Sequence, residues 1–169
     1  LMYLIDQLHQ AGIGVLLDWV PGHMCKDPHG LYMFDGRPLF EYENAYFREN
    51  RVWGTANFDL GKGIVRSFLI SNALFYMRLF HVDGFRLDAV SNMIHYLGDP
   101  ANGENDGAIG FLRALSTRVF QENNAAILAA EDSSSHPKIT HPVEHGGLGF
   151  NYKWNMGWMN DTLEYFEKD

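Results

Sequence analysis

The sequence is poor in three features that would each point to a class of function. Of its 169 residues only Cys25 is a cysteine, so no disulfide can form within the chain and the cytoplasm is the expected location. No segment approaches the roughly 18 consecutive apolar residues of a membrane-spanning helix. Cationic residues are the minority, with 13 Lys and Arg against 21 Asp and Glu, and they form no basic run. The net charge of −8 therefore argues against nucleic acid or an anionic membrane as partner and favours a small neutral molecule.

Apolar residues, in contrast, make up 46% of the chain and aromatic residues 14%. This apolar area is large enough to offset the entropy lost when a domain becomes ordered, so a disordered chain is excluded. Leu1 already lies within a helical repeat of apolar residues, from which we expect a piece of a longer protein.

Helices and strands alternate along the sequence. Apolar residues recur at helical spacing over 1–11, 65–79 and 109–119, and more weakly over 157–168. Short apolar runs typical of buried parallel strands occupy 15–20, 81–90 and 125–130, with a weaker fourth strand over 148–154. Residues 21–62 form a long loop, which is too long for an inert connection. This order predicts an α/β fold with a parallel sheet, either doubly wound or part of an eight-stranded barrel.

Acidic residues stand at or near the ends of the first three predicted strands, namely Asp18, Asp88 and Glu131. A carboxylate that closes an apolar strand is costly unless it faces a polar site. Because ligands of parallel sheets bind beyond the carboxyl ends of the strands, we expect these three side chains to converge. The alternative is that each carboxylate only caps the loop that follows it.

The residue pattern around two of these carboxylates indicates opposite environments. Arg86 and Asp88 are two apart in a strand, so they share a face, and a guanidinium beside a carboxylate keeps it ionised, as a nucleophile requires. The alternative is a structural ion pair. Glu131 follows four apolar residues, and apolar walls favour the protonated form that a general acid needs. Such a pair of carboxylates suggests chemistry at a glycosidic bond.

Two further histidine-containing segments bear on function. His23 lies five residues after Asp18 and could donate to a sugar hydroxyl, although a lone histidine more often serves structure. The spacing of His141, Glu144 and His145 matches a zinc motif that requires a helix, but Pro142 interrupts it, so no metal site is expected.

Three stretches, 18–23, 84–90 and 130–133, resemble three of the four motifs of the α-amylase superfamily of glycoside hydrolases and transglycosidases, in their usual order. The segments 34–36, 53–55, 57–61 and 141–158 are similar to those of the 1,4-α-glucan (glycogen) branching enzymes. The resemblance covers essentially the whole chain and implies a (β/α)₈ TIM barrel. The chain would span that barrel from about its second to its sixth helix, so residues 1–169 would form an incomplete catalytic domain.

The resemblance also implies a role for each matching residue. Asp88 would be the nucleophile and Glu131 the general acid/base, while Asp18, His23 and Arg86 would bind the sugar. The implied reaction cleaves an α-1,4-glucan such as glycogen or amylose and transfers the segment to a 6-hydroxyl, giving an α-1,6 branch. It needs no cofactor and no metal.

Two departures from the family pattern leave alternatives open. The fourth motif and a substrate-stacking tyrosine upstream of the first motif are absent from this chain. The remaining motifs are shared with hydrolases, so a trehalohydrolase or amylase, or an inactive glucan-binding fragment, stays in consideration.

Overall fold

A parallel sheet with helices packed on it organises the chain, which a computed structural model describes for residues 1–168. In chain order the helices are α1 (Met2–Gln10), α2 (Ala45–Arg48), α3 (Gly63–Phe75), α4 (Val90–Ile94), α5 (Asp106–Glu122) and α6 (Met156–Phe166). The strands are β1 (Leu16–Trp19), β2 (His23–Met24), β3 (Glu49–Asn50), β4 (Thr55–Asn57), β5 (Gly84–Leu87), β6 (Ile127–Glu131) and β7 (Tyr152–Trp154). Every helix and strand predicted from the sequence is present, with shifted ends.

The strand order decides between the two predicted architectures. The four parallel strands lie in the order β1-β5-β6-β7, which is also their order along the chain. A doubly wound sheet would reverse direction at a switch point, whereas a barrel adds each strand beside the previous one. The α/β prediction is confirmed, and the progression is that of a barrel.

The hydrophobic core lies between one face of this sheet and the helices. Phe85 and Leu87 of β5 and Leu128 of β6 are fully buried, and they belong to one cluster with Phe111 and Leu115 of α5. The apolar residues of α5 recur at helical spacing, and the Asn105 side chain caps this helix by accepting from Ala108 N–H.

The opposite face of the sheet is open. Leu16 and Val20 are each 43% exposed, so the prediction of a fully buried first strand is wrong for this side. The physical reason is that the helices cover one face only, while side chains of a strand alternate between faces. The open face is the one that carries Asp18 and Arg86.

The long loop predicted over 21–62 contains regular structure. It holds α2 and a small antiparallel sheet of order β2-β4-β3. Strands of two or three residues are too short to show the alternation that identifies a strand in a sequence. The ladder of β2 and β4 is extended by one more hydrogen bond, in which Phe58 N–H donates to the Gly22 carbonyl at 3.2 Å.

Two boundaries near the sheet differ from the prediction. β5 ends at Leu87 rather than at residue 90, because Ala89 adopts a left-handed conformation (φ +49°) and Val90 begins α4. The connection from β6 to β7, in which no helix is predicted, contains a short 3₁₀ turn (Val143–His145). None of the helices within residues 1–168 is long and apolar enough to cross a membrane.

Candidate active site

One guanidinium holds together the three carboxylates that the sequence predicts to converge. Nη1 of Arg86 donates to Oδ1 of Asp18 and to Oδ1 of Asp88, both at 2.7 Å. Nη2 of Arg86 lies 3.1 Å from Oε2 of Glu131. The expected convergence at the carboxyl ends of the strands is therefore present in the structure.

Strand register explains why these residues meet. Asp18 of β1 stands opposite Arg86 of β5 in a parallel ladder, so both side chains project from the same face. Asp88 lies two residues beyond Arg86, and its N–H donates to the Trp19 carbonyl at 2.9 Å, which fixes the backbone just after the strand. The shared face that the sequence predicts for Arg86 and Asp88 is thus found.

The cluster is electrostatically asymmetric, with one cation among three acidic groups. The Arg86 side chain is 15% exposed. Burial by itself would lower the pKa of Arg86, but the hydrogen bonds to Asp18 and Asp88 and the negative charge of Glu131 raise this pKa above its ordinary value. Arg86 therefore stays protonated and serves as a permanent positive centre of the site.

Glu131 is surrounded differently from the expectation. Its Oε2 accepts the Ala89 N–H at 2.8 Å in addition to facing Arg86, so the predicted apolar walls are absent at the carboxylate. The reason is alternation, since Leu128 and Ala130 of the preceding run face the core instead. Ala89 adopts a left-handed conformation (φ +49°), which in a non-glycine residue generally costs on the order of 1–3 kcal/mol. In this conformation its N–H points at Glu131.

His23 enters the site from the small antiparallel sheet. It pairs with Asn57 across β2 and β4, and its ring centroid lies 4.8 Å from that of Trp53. Burial lowers the pKa of His23, and the charge of Asp88 offsets this only in part. The imidazole is therefore neutral at pH 7 and offers one N–H donor and one acceptor to a ligand.

Trp154 of β7 borders the site, while its neighbour Lys153 forms an ion pair on the opposite face of the strand. The ring of Trp154 lies over Arg86, with 4.8 Å from the guanidinium carbon to the ring centroid. Lys153 Nζ lies 2.7 Å from Oδ2 of Asp132, whose side chain is fully buried beside Glu131. The only sequence signal for either contact is that Trp154 ends the fourth predicted strand.

No group of three or more His, Cys, Asp or Glu side chains within residues 1–168 is arranged to hold a metal ion. Glu144 and His145 lie in the short 3₁₀ turn that follows Pro142. Cys25, next to β2, is exposed.

The chain is closely similar to curated branching enzymes. It is 63% identical over 167 residues to the 1,4-alpha-glucan branching enzyme GlgB of Geobacillus stearothermophilus, which is 99% of this chain and 26% of that enzyme. It is 59% identical over 167 residues to the GlgB of Bacillus cereus strain AH187, again with 99% and 26% coverage. The chain thus spans about a quarter of the length of these relatives, and the predicted resemblance is confirmed. No protein-family model matches the chain.

Solved structures of α-amylases share the fold. The α-amylase of Lactobacillus plantarum matches with a TM-score of 0.69 at 19% identity, over 98% of this chain and 38% of that one. The maltogenic α-amylase AmyB of Thermotoga neapolitana gives a TM-score of 0.67 at 17% identity, over 98% and 33%. At this identity the likeness establishes the fold, and with the observed strand order it agrees with part of a TIM barrel.

Proposed function

Because the chain matches a quarter of the 1,4-α-glucan branching enzymes at up to 63% identity, we propose that it carries the reacting carboxylates of such an enzyme. The proposed reaction cleaves an α-1,4-glucan and transfers the freed segment to a 6-hydroxyl, which makes an α-1,6 branch. The observation that supports it best is the single guanidinium of Arg86 between Asp88 and Glu131 on neighbouring strands. Residues 1–169 are proposed to form an incomplete catalytic barrel domain.

In the first half of the reaction, Asp88 attacks the anomeric carbon of the donor sugar. Its Oδ1 is bound to Arg86, so we assign the attack to Oδ2. The bond from the anomeric carbon to the leaving oxygen breaks, Glu131 gives its proton to that oxygen, and a glycosyl ester of Asp88 forms. Before the attack, Arg86 is bonded to Oδ1 of Asp88, which orients the carboxylate and leaves its other oxygen free.

In the second half, Glu131 takes the proton from the 6-hydroxyl of an acceptor chain while that oxygen attacks the anomeric carbon. The ester bond to Asp88 breaks, and the carboxylate returns to its bond with Arg86. Two inversions at one carbon retain the anomeric configuration, for which the two carboxyl groups must lie about 5–5.5 Å apart.

The remaining site residues would bind the sugar. The Asp18 side chain is 67% exposed and bonded to Arg86, so its free oxygen can accept from a hydroxyl of the donor sugar. His23 is neutral and faces the charge of Asp88, which suits a donor to the same ring. The proposal involves no cofactor and no metal, and it includes a cytoplasmic location.

The test separates branching from hydrolysis in the full-length protein that carries this chain. Branching of amylose lowers the iodine colour without new reducing ends, whereas hydrolysis lowers the colour and raises the number of reducing ends. Asp88→Asn should abolish both, because the amide is a poor nucleophile, and Asp35→Asn serves as a matched control at an exposed aspartate outside the site. A full-length protein that only hydrolyses amylose would refute the branching proposal. An Asp88→Asn variant that keeps a tenth of the rate would remove Asp88 from the nucleophile's role.

A further inference from the structure

The flat ring of Trp154 covers the guanidinium on which the candidate site depends. The guanidinium carbon of Arg86 lies 4.8 Å from the ring centroid, within the range of a cation–π interaction. Trp154 stands opposite Glu131 in the ladder of β6 and β7, which places its side chain on the same face as the site. The ring is also half exposed, so one aromatic residue borders both Arg86 and the open cleft.

The hydrogen bonds of Arg86 leave the tilt of its guanidinium undetermined. Both Nη atoms face carboxylates, while Nε is buried and has no hydrogen-bond partner among residues 1–168. Because hydrogen bonds hold the guanidinium at its Nη atoms only, rotation about the side-chain bonds can tilt the group. Such a tilt would lengthen its contact with one carboxylate as it approaches another. A ring against the flat face opposes this motion.

Trp154 itself is anchored through its neighbour. Lys153 projects to the opposite face of β7, where its Nζ lies 2.7 Å from Oδ2 of Asp132 and 2.7 Å from the Ser134 carbonyl oxygen. Asp132 is fully buried and also accepts from the Ser134 N–H and hydroxyl. This ion pair, whose carboxylate is fully buried, anchors β7 next to Trp154.

We propose that Trp154 is a positioning residue that acts through Arg86, holding the guanidinium in the plane that serves Asp88 and Glu131 together. The inference rests on the proposed function and deepens it. Loss of the ring should weaken charge stabilisation in the transition state more than sugar binding, and therefore lower kcat more than it raises KM.

The test compares two replacements of Trp154 in the full-length protein. Trp154→Phe keeps a flat ring over Arg86, and Trp154→Leu keeps an apolar side chain without one. We expect Trp154→Leu to lower kcat about tenfold, which corresponds to about 1.4 kcal/mol, and to change KM by less than about twofold. Trp154→Phe should retain most of the rate. If the Leu variant does not fold, Trp154→Met replaces it.

A double-mutant cycle shows whether Trp154 acts through Arg86. Arg86→Lys removes the planar group on which the ring stacks, so Trp154→Leu should cost less than about twofold in that background. Trp158→Leu, a similarly exposed tryptophan on α6, is the matched control and should keep the wild-type kcat. Melting temperatures of all variants are compared to separate positioning from stability.

Two results would overturn the inference. One is equal loss of kcat in the Phe and Leu variants at matched melting temperature, and the other is an undiminished effect of Trp154→Leu in the Arg86→Lys background. If the wild-type protein hydrolyses amylose instead of branching it, the cycle is measured on hydrolysis. The proposed branching function can thus fail while the inference about Trp154 stands, and the inference about Trp154 can fail while the branching function stands.

Discussion

At the scale of single residues, the chemistry depends on how one guanidinium is shared. Arg86 bonds to Oδ1 of Asp88 and faces Oε2 of Glu131, so it touches one oxygen of each carboxyl group. The second oxygen of each group is the one that would face substrate, Asp88 for attack and Glu131 for proton transfer. The guanidinium can therefore orient both groups without occupying the atoms that are proposed to react.

The proposed role of Glu131 in proton transfer gives a prediction that depends on the leaving group. Glu131→Gln leaves the shape but removes the proton, so turnover of amylose in the full-length protein should fall on the order of 10²–10⁴-fold. With α-glucosyl fluoride, whose leaving group needs no protonation, formation of the glycosyl-enzyme should fall much less, measured as fluoride release in a single turnover. Equal losses on both substrates would remove Glu131 from the acid's role.

At the scale of secondary-structure elements, the site depends on the pairing of β5 with β6. Gly84 begins β5 opposite Ile127, and a β-carbon at Gly84 would overlap the Ile127 carbonyl group. Arg86 and Glu131 lie toward the other end of the same two strands, so this close approach of two backbones sets the distance between these residues of the candidate site.

Gly84→Ala should therefore separate β5 from β6. We expect it to destabilise the fold by about 3 kcal/mol or more, because the obstacle is backbone that cannot move aside. Gly63→Ala at the start of α3 is the matched control, since a β-carbon there meets nothing within 4 Å, and its effect should be neutral or slightly stabilising. Thermal unfolding of the full-length protein measures both, and equal melting temperatures for the two variants would contradict this account.

The start of β5, far from the site, is held in place by a hydrogen bond to the charged side chain of Asp83. Asp83 Oδ2 accepts the Val15 N–H at 2.6 Å and contacts Nε2 of His9 at 2.8 Å, which ties α1 and β1 to the start of β5. Burial by itself would raise the pKa of Asp83, but these hydrogen bonds outweigh it and hold the pKa below its ordinary value. A carboxyl group whose pKa is lower in the folded than in the unfolded protein stabilises the fold at pH values above its unfolded pKa. This stability is lost as the pH falls through the pKa of the folded protein.

Asp83→Asn should thus lower the melting temperature of the full-length protein at pH 7, and the difference from wild type should shrink as the pH falls from the ordinary carboxyl pKa of about 4 toward the lowered pKa of folded Asp83. Asp35→Asn is the control, because Asp35 is equally exposed at 41% but pairs only with the exposed Arg37. A difference that stays constant down to pH 3 would show that the charge of Asp83 contributes nothing.

The sequence predicts the parallel strands and the meeting of Asp18, Asp88 and Glu131, because both follow from local periodicity and from the common direction of parallel strands. It does not predict the contact of Trp154 with Arg86, since no local rule couples residues 68 positions apart. It also misjudges Glu131, because the N–H that Ala89 presents depends on a left-handed turn in a different element.

At the scale of the whole molecule, the site lies on a sheet covered on one side. Leu16, Val20, Tyr152 and Trp154 project from the open face and are between 43% and 58% exposed. On α6, which has no buried residue, Trp158 is 67% exposed. The four parallel strands are half of those that close a (β/α)₈ barrel, so the outer edges of β1 and β7 are unpaired within residues 1–168.

This exposure leads to a prediction for the 169-residue chain by itself. Open sheet edges and an exposed apolar face favour pairing between copies, so the isolated chain should elute from size-exclusion chromatography as oligomers or aggregates. Asp88 and Glu131 would be present but without an enclosing cleft that excludes water and orients the glucan, and these two effects account for much of enzymatic rate enhancement. We therefore expect no detectable branching or hydrolysis of amylose, measured by iodine colour and reducing ends. A purified monomeric chain that branches amylose, and loses this activity in Asp88→Asn, would show that the site does not need the rest of a barrel.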